Sequence, residues 1–266
     1  MQNYININDY NMDKIPNNVS ISTMSIGCNL GTSFNMKNIY NYLTLSNDDI
    51  IAIKSLEGIR CIEELKSKFK STNKNSKKNF YNQNTIIICI GVDRFINIKL
   101  FKNGSLQMSG CTQLLDANIA ISKLIFRLSI IIKNELNDDI QFVENISDLK
   151  LVKINIDFIN SNFGVNYLIN KVNLYQLLTE QNILCRLTAK HACLNIKHKI
   201  SSDIYISIFV FQTGSIIITG AKTAENIRDA YIFIVKFLNK HKSKIIKRDI
   251  SKILSVEEFE EILKLE

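Results

Sequence analysis

The stretch Phe209–Ala230, FVFQTGSIIITGAKTAENIRDA, restates an earlier one, Lys99–Ala120, KLFKNGSLQMSGCTQLLDANIA. Both run Phe-x-x-Gly-Ser, a short apolar run, Ser/Thr-Gly, then a helical pattern. Phe101 and Phe211, Gly104 and Gly214, and Gly110 and Gly220 each lie 110 positions apart. Outward from these phrases the order of elements repeats as well. The first copy reads as a strand at 19–26, a helix within 34–43, strands at 85–92, 95–101 and 105–109, and an amphipathic helix within 112–136. That helix carries Leu114, Ala117, Ile121, Leu124, Ile125, Leu128 and Ile132 on one stripe. The second copy reads as a strand at 151–159, a helix near 166–178, strands at 182–189, 192–198, 203–211 and 215–219, and a helix over about 223–241. Two copies are too few for a solenoid. They predict an α+β domain: a pseudo-twofold saddle with one curved antiparallel sheet of about ten strands and helices on its convex side.

The copies differ in length. Taking Gly27 and Phe163 as equivalents, 136 positions apart, the first copy holds 26 more residues than the second. They fit within 46–84, which ends in the basic, low-complexity KSTNKNSKKNFYNQN. The expected organisation is a flexible polar segment at 1–17, a first repeat at 18–136, a second at 150–245 and a helical extension at 246–266. In that extension Ser255 and Glu258 form a capping box.

Strand alternation sorts side chains onto two faces. Ile206, Ile208, Val210, Ile216 and Ile218, with Ile96, Ile98, Leu100, Leu106 and Met108, belong against the helices. The opposite face takes Tyr205, Ser207, Phe209, Phe211, Ile217 and Thr219 in the second copy. In the first it takes Asn97, Lys99, Phe101, Gln107 and Ser109. A solvated face should be more charged and a second core more apolar, so this mixture suits a face that docks on something.

The chain has 266 residues, 46% of them hydrophobic, and a formal net charge of +8, which favours an acidic partner. Its N-terminus has no apolar segment of signal-peptide type, and no apolar stretch is long enough to span a membrane. The six cysteines are scattered without a C-x-x-C pair and read as reduced core residues. Cys185, His191, Cys193 and His198 lie close in sequence, but their spacing fits no zinc module; they read as core cysteines and surface histidines. Phosphate-loop, dinucleotide-binding and metalloprotease motifs are absent, and three histidines support no nucleophilic triad. Neither catalysis nor a cofactor is expected. The basic runs 66–78 and 236–252 read as solvated faces before they read as phosphate contacts.

These residues resemble the TATA-box-binding protein (TBP) family. STMSIGCNLG (22–31) is similar to its opening strand and turn. IFVFQTGSIIITGAKTAENIRDAYIFI (208–234) is similar to its strand, T-G-A-K turn and long helix, and LFKNGSLQMSGCTQ (100–113) to the first copy of that pattern. The resemblance spans roughly 18–245. It implies a concave sheet that binds A·T-rich promoter DNA in the minor groove and kinks it with phenylalanine wedges. It further implies general transcription factors and RNA polymerase as partners, and a protein that is monomeric on DNA. The implied sites are the nucleus or, for a large AT-rich DNA virus, the viral factory or virion in the host cytoplasm. Phe101 and Phe211 match one wedge of each pair, Ser109 and Thr219 the central threonines, and Asn155 a central asparagine. Lys222 matches the lysine of T-G-A-K, Lys99 is a further phosphate contact, and Phe209, Ile217 and Gln107 complete the implied face. Departures accompany this: Ser105 and Ser215 stand where the two copies should carry the lysine of S-G-K, and four more follow. The second wedge of the first copy falls at Phe80 or Tyr81, and its counterpart at Glu180. Asp157 replaces an apolar contact, and Val19 stands where the first copy should have asparagine. An adaptor that keeps the saddle without bending DNA is therefore the alternative. A module feeding a nuclease or glycosylase is disfavoured, since no catalytic domain is recognisable after 245.

Overall fold

The computed structural model describes residues 12–67, 82–188, 192–201 and 204–247. The chain forms two compact units; of the described residues the first holds 12–13 and 21–160, the second 14–20 and 161–247.

In the first unit the strands are β1 (Ser20–Asn29, whose first residue belongs to the second unit), β2 (Ile50–Ser55), β3 (Gly58–Cys61), β4 (Gln83–Gly91), β5 (Arg94–Phe101) and β6 (Ser105–Cys111). They are hydrogen-bonded in the order β1-β6-β5-β4-β2-β3. Helix α1 (Met36–Tyr42) starts at Asn35, whose side chain accepts from Asn38 N. Helix α2 (Leu114–Leu128) lays Ala117, Ile121, Leu124 and Leu128 on Ile86, Ile88, Ile96, Ile98, Leu100 and Met108, all at most 1% exposed. Each such Leu, Ile or Met side chain contributes about 1.5–3 kcal/mol by leaving water. The expected helix over 112–136 is shorter than its pattern. Ser129 caps it, and Asn134 Oδ1 accepts from Leu136 N (2.9 Å) and Asp138 N (2.8 Å). That turn, with Asn137 at φ 67°, closes a two-residue-strand hairpin of β7 (Ile132–Lys133) and β8 (Asp139–Ile140).

In the second unit β9 (Lys153–Gly164, entering from the first unit), β10 (Cys185–Arg186), β11 (Cys193–Lys199), β12 (Tyr205–Phe211) and β13 (Ser215–Ala221) run in the order β9-β13-β12-β11-β10. Helix α3 (Lys171–Glu180) starts at Asn170, whose side chain accepts from Val172 N and Asn173 N. Helix α4 (Ala224–Lys240) starts at Thr223, whose hydroxyl accepts from Asn226 N (3.2 Å), and the short helix α5 (Lys242–Ile245) follows. Ile227, Ala230, Ile234 and Leu238 of α4 bury against Ile206, Ile208, Val210, Ile216 and Ile218. The expected strand over 182–189 shrinks to Cys185–Arg186. Ile183 N donates back to Leu178 O (2.9 Å) and Asn182 sits at φ 56°, so the chain leaves α3 through a tight turn.

Equivalent hydrogen bonds set the repeat. Phe34 N donates to Lys102 O and Ile169 N to Gln212 O; Leu30 N donates to Gly104 O and Val165 N to Gly214 O. With the two asparagine caps, these place equivalent residues 135 positions apart before the insertion, one fewer than expected. Cys28, not Gly27, is thus the partner of Phe163, and both are buried. The insertion is 25 residues, not 26. Its described part adds β3, beyond the ten strands expected, and a 3-10 turn at Glu63–Leu65. The expected C-terminal capping box at Ser255 and Glu258 lies outside the described residues.

Candidate nucleic-acid interface

The hairpin β12–β13 places its side chains by period two. Phe209 faces Ile217 across the ladder, and Ser207 faces Thr219. On the other side Phe209 faces Asn195, Ser207 faces Lys197 and Phe211 faces Cys193. All of these lie opposite α4. Phe209, Phe211, Ile217 and Thr219 are half-buried and Tyr205 is exposed. Lys197 Nζ donates to Ser207 Oγ at 2.5 Å. Lys197 and Lys199 of β11, with Arg186 paired to Asn195, make this face cationic; its described strand residues include no carboxylate. The Asn195 carbonyl oxygen is buried without a hydrogen-bond partner.

The first unit repeats the arrangement with other chemistry. Phe101 faces Gln83, Lys99 faces Thr85 and Gln107, and Asn97 faces Ile87 and Ser109. Gln107 in turn faces Gly27 of β1. Asn155 and Asp157, on the part of β9 in this unit, lie over Gly27. A Cβ there would sit 3.1 Å from Asp157 Oδ1 and 3.3 Å from Asn155 Nδ2. Lys99, Ser109 and Asn155 are exposed, while Phe101 and Gln107 are half-buried. At the far strands the face is covered. Ile51, Ala52 and Ile87 form a small apolar cluster against which Cys61, Ile62, Leu65 and Cys89 pack, so part of the insertion folds back over it.

Most candidate residues are therefore gathered on the faces that alternation assigned, Lys99 with Gln107 and Asn155, Phe209 with Ile217. Lys222 stands apart. It follows β13 at the Tyr205 end of the hairpin, away from Phe211, and its N–H donates to Asn226 Oδ1 (3.4 Å) at the α4 cap. Glu180 does not fill the wedge position. It ends α3, because a helix and not a strand precedes Ile183; the residue opposite Phe211 is Cys193, as Gln83 is opposite Phe101. Val19 is not the counterpart of Asn155 either. It is 8% exposed, and the offset of 135 assigns that place to Ser20, since a one-residue slip reverses a strand's faces. Phe80, Tyr81 and His191 lie outside the described residues. Among the described residues no three His, Cys, Asp or Glu side chains are grouped to hold a metal. Sequence reading missed Asn195 and Lys197, although the same alternation puts them beside Phe209. It also missed the insertion's return over Ile87, which no local pattern signals.

Behind these faces the cores are sealed. Burial, then the neighbouring Cys111 thiol and the Asp157 carboxylate, push the Cys28 thiol up to about 12. Burial, with Asp116 nearby, does the same for Cys111, also to about 12.

Two repeated α+β half-sheets, each helix-covered on one face and offering a phenylalanine on the other, define the fold of TATA-box-binding proteins. The chain matches the structure of Methanococcus jannaschii TBP with a TM-score of 0.53 at 14% identity, over 84% of this chain and 98% of that one. It is 37% identical over 254 residues to a "TATA-box-binding protein-like" protein of Acanthamoeba polyphaga mimivirus, covering 86% of this chain and 67% of the relative. No protein-family model matches the chain. The chain belongs to the TATA-box-binding-protein-like family.

Proposed function

We propose that this protein is a transcription initiation factor that binds A·T-rich promoter DNA in the minor groove through the faces carrying Phe101 and Phe211, and that it recruits initiation machinery without catalysis. The observation that carries this is the paired placement of the two phenylalanines. Both are half-buried at the same turn of equivalent hairpins, opposite the helices, with Lys99 two residues before Phe101 and Lys197 opposite Ser207 on the second unit's face. Partly sheltered rings can enter a base step, lysines can reach phosphates, and the minor groove presents little code beyond A·T against G·C. Asn155, Ser109, Thr219, Ile217, Phe209 and Gln107 form the remaining contact surface, with Lys99 as a phosphate contact. Lys222, on the hairpin's other end, contacts phosphate at the margin. The partners are general transcription factors and RNA polymerase, the protein is monomeric on DNA, and the mimivirus relative supports a viral factory, virion or nucleus as its place of work.

A gel shift with an A·T-rich duplex at low salt tests this. Binding that falls at least tenfold in Phe101→Ala plus Phe211→Ala is expected; no binding by the wild type sinks the reading. One observation favours an adaptor instead: the Asp157 carboxylate on the first unit's face, which repels phosphate and suits a cationic protein partner. A partner polypeptide that competes with the duplex and is lost in Asp157→Asn would favour that second reading.

A further inference from the structure

The second unit's sheet face sets Phe209, Phe211 and Ile217 beside Lys197, Lys199 and Arg186, with no carboxylate among its described strand residues. An occupant that suits it is apolar along one stripe and anionic beside that stripe. The chain itself supplies this chemistry. Residues 255–266, SVEEFEEILKLE, hold five glutamates against one lysine. At helical spacing Val256, Phe259 and Leu263 fall on one stripe and leave the glutamates to its sides.

The place where the described chain leaves the second unit fits as well. Val165 N donates to Gly214 O and Ile169 N to Gln212 O, so residues 165–169 wrap the β12–β13 turn next to Phe211. Lys247 N donates to Leu168 O, and Ile246 bridges to Ile169, so the chain passes on to residue 248 beside that turn. Residues 248–254 reach at most about 25 Å. Residues 255–266 as a helix measure about 18 Å. The face from Phe211 to Tyr205, which stands opposite Lys199, measures about 20 Å. We infer that residues 248–266 fold back over this face. Phe259 and Leu263 lie against Phe209, Phe211 and Ile217, and the glutamates pair with Lys197 and Lys199. The segment thereby holds the groups offered to a duplex and competes with DNA from within the chain. That competition rests on the DNA-binding reading above; the docking does not.

Carbodiimide crosslinking of the full chain without DNA, read by peptide mass spectrometry on the monomer band, tests the docking. Links from Glu257, Glu258, Glu260 or Glu261 to Lys197 or Lys199 are expected. Links to Lys171 alone, beside the exposed Leu168 and Val172, or links found only in a dimer band, overturn it. A gel shift with an A·T-rich duplex tests the competition. Phe259→Ser, which leaves the net charge unchanged, should raise affinity about threefold to tenfold at low salt, because the face is then open for more of the time. An unchanged affinity overturns the competition. If the Lys197 links form but neither the wild type nor the variant binds any duplex, the DNA-binding reading falls and the docking stands.

Discussion

Asp116 has no exposed side-chain surface, and at the start of α2 its carboxylate accepts from Thr112 N (2.9 Å), Thr112 Oγ1 (3.1 Å), Gln113 N (3.2 Å) and Arg94 (2.5 Å). Burial pushes this carboxyl up, yet the bonds from Thr112, Arg94 and Gln113 outweigh it and hold it below the usual range. A folded pKa below the unfolded value means the stabilisation is complete above about pH 4. It is lost as pH falls through the lower folded pKa. Asp116→Asn should cost about 2 kcal/mol at neutral pH. In denaturant titrations the gap from wild type should narrow as pH falls below about 4; a constant gap would refute the assignment. Gly214 is constrained differently. It sits at φ 89°, and a Cβ would stand 2.5 Å from Val165 O and 2.7 Å from Tyr167 O. Gly214→Ala should cost about 3 kcal/mol, read as a lowered melting temperature. The buried thiols of Cys28 and Cys111 should resist iodoacetamide at pH 8 in the native protein and react once it is unfolded.

Among the elements, α2 holds more than its own face of the core. Arg127 donates to Asp49 Oδ2 (2.8 Å) and Thr44 O (2.8 Å), and Lys123 Nζ to Asp48 O (2.5 Å) and Cys89 O (2.8 Å). The helix thereby clamps the segment that leads into β2. Asp49 is largely buried, so Arg127→Met leaves its charge without a partner and should cost about 3 kcal/mol. Hydrogen exchange should then rise in β2 ahead of β5, and uniform acceleration would argue against a local clamp. Element boundaries were legible where period and cap agree, as at Thr223 and Ile227 to Leu238. They were not legible at 129–140. There a β-branched run continues the apolar stripe, while the asparagine turn that breaks the helix acts through side-chain hydrogen bonds.

For the whole molecule, binding to DNA should weaken with salt in proportion to the phosphates engaged, with a log–log slope of about −0.9 per contact. Lys197, beside Ser207 on the second unit's face, should account for one of them. Lys197→Ala should make the slope shallower by about one and weaken A·T and G·C duplexes equally. A change in sequence preference would instead assign Lys197 to base contact.

The sequence by itself determined the repeat and the two faces. Alternation in a strand and recurrence of Phe-x-x-Gly-Ser are local properties, and they place Phe101, Phe211, Phe209 and Ile217 opposite the helices without reference to anything distant. Tertiary structure alone decided the register, because one residue of slip is invisible in composition yet reverses a face. That is how Ser20 replaces Val19 as the counterpart of Asn155; Glu180 is displaced for another reason, since α3 runs through it and β11 brings Cys193 opposite Phe211. It also decided that Ile62 and Leu65 cover Ile87. Such a contact joins segments some two dozen residues apart, and it forms only once β2, β3 and β4 are laid side by side.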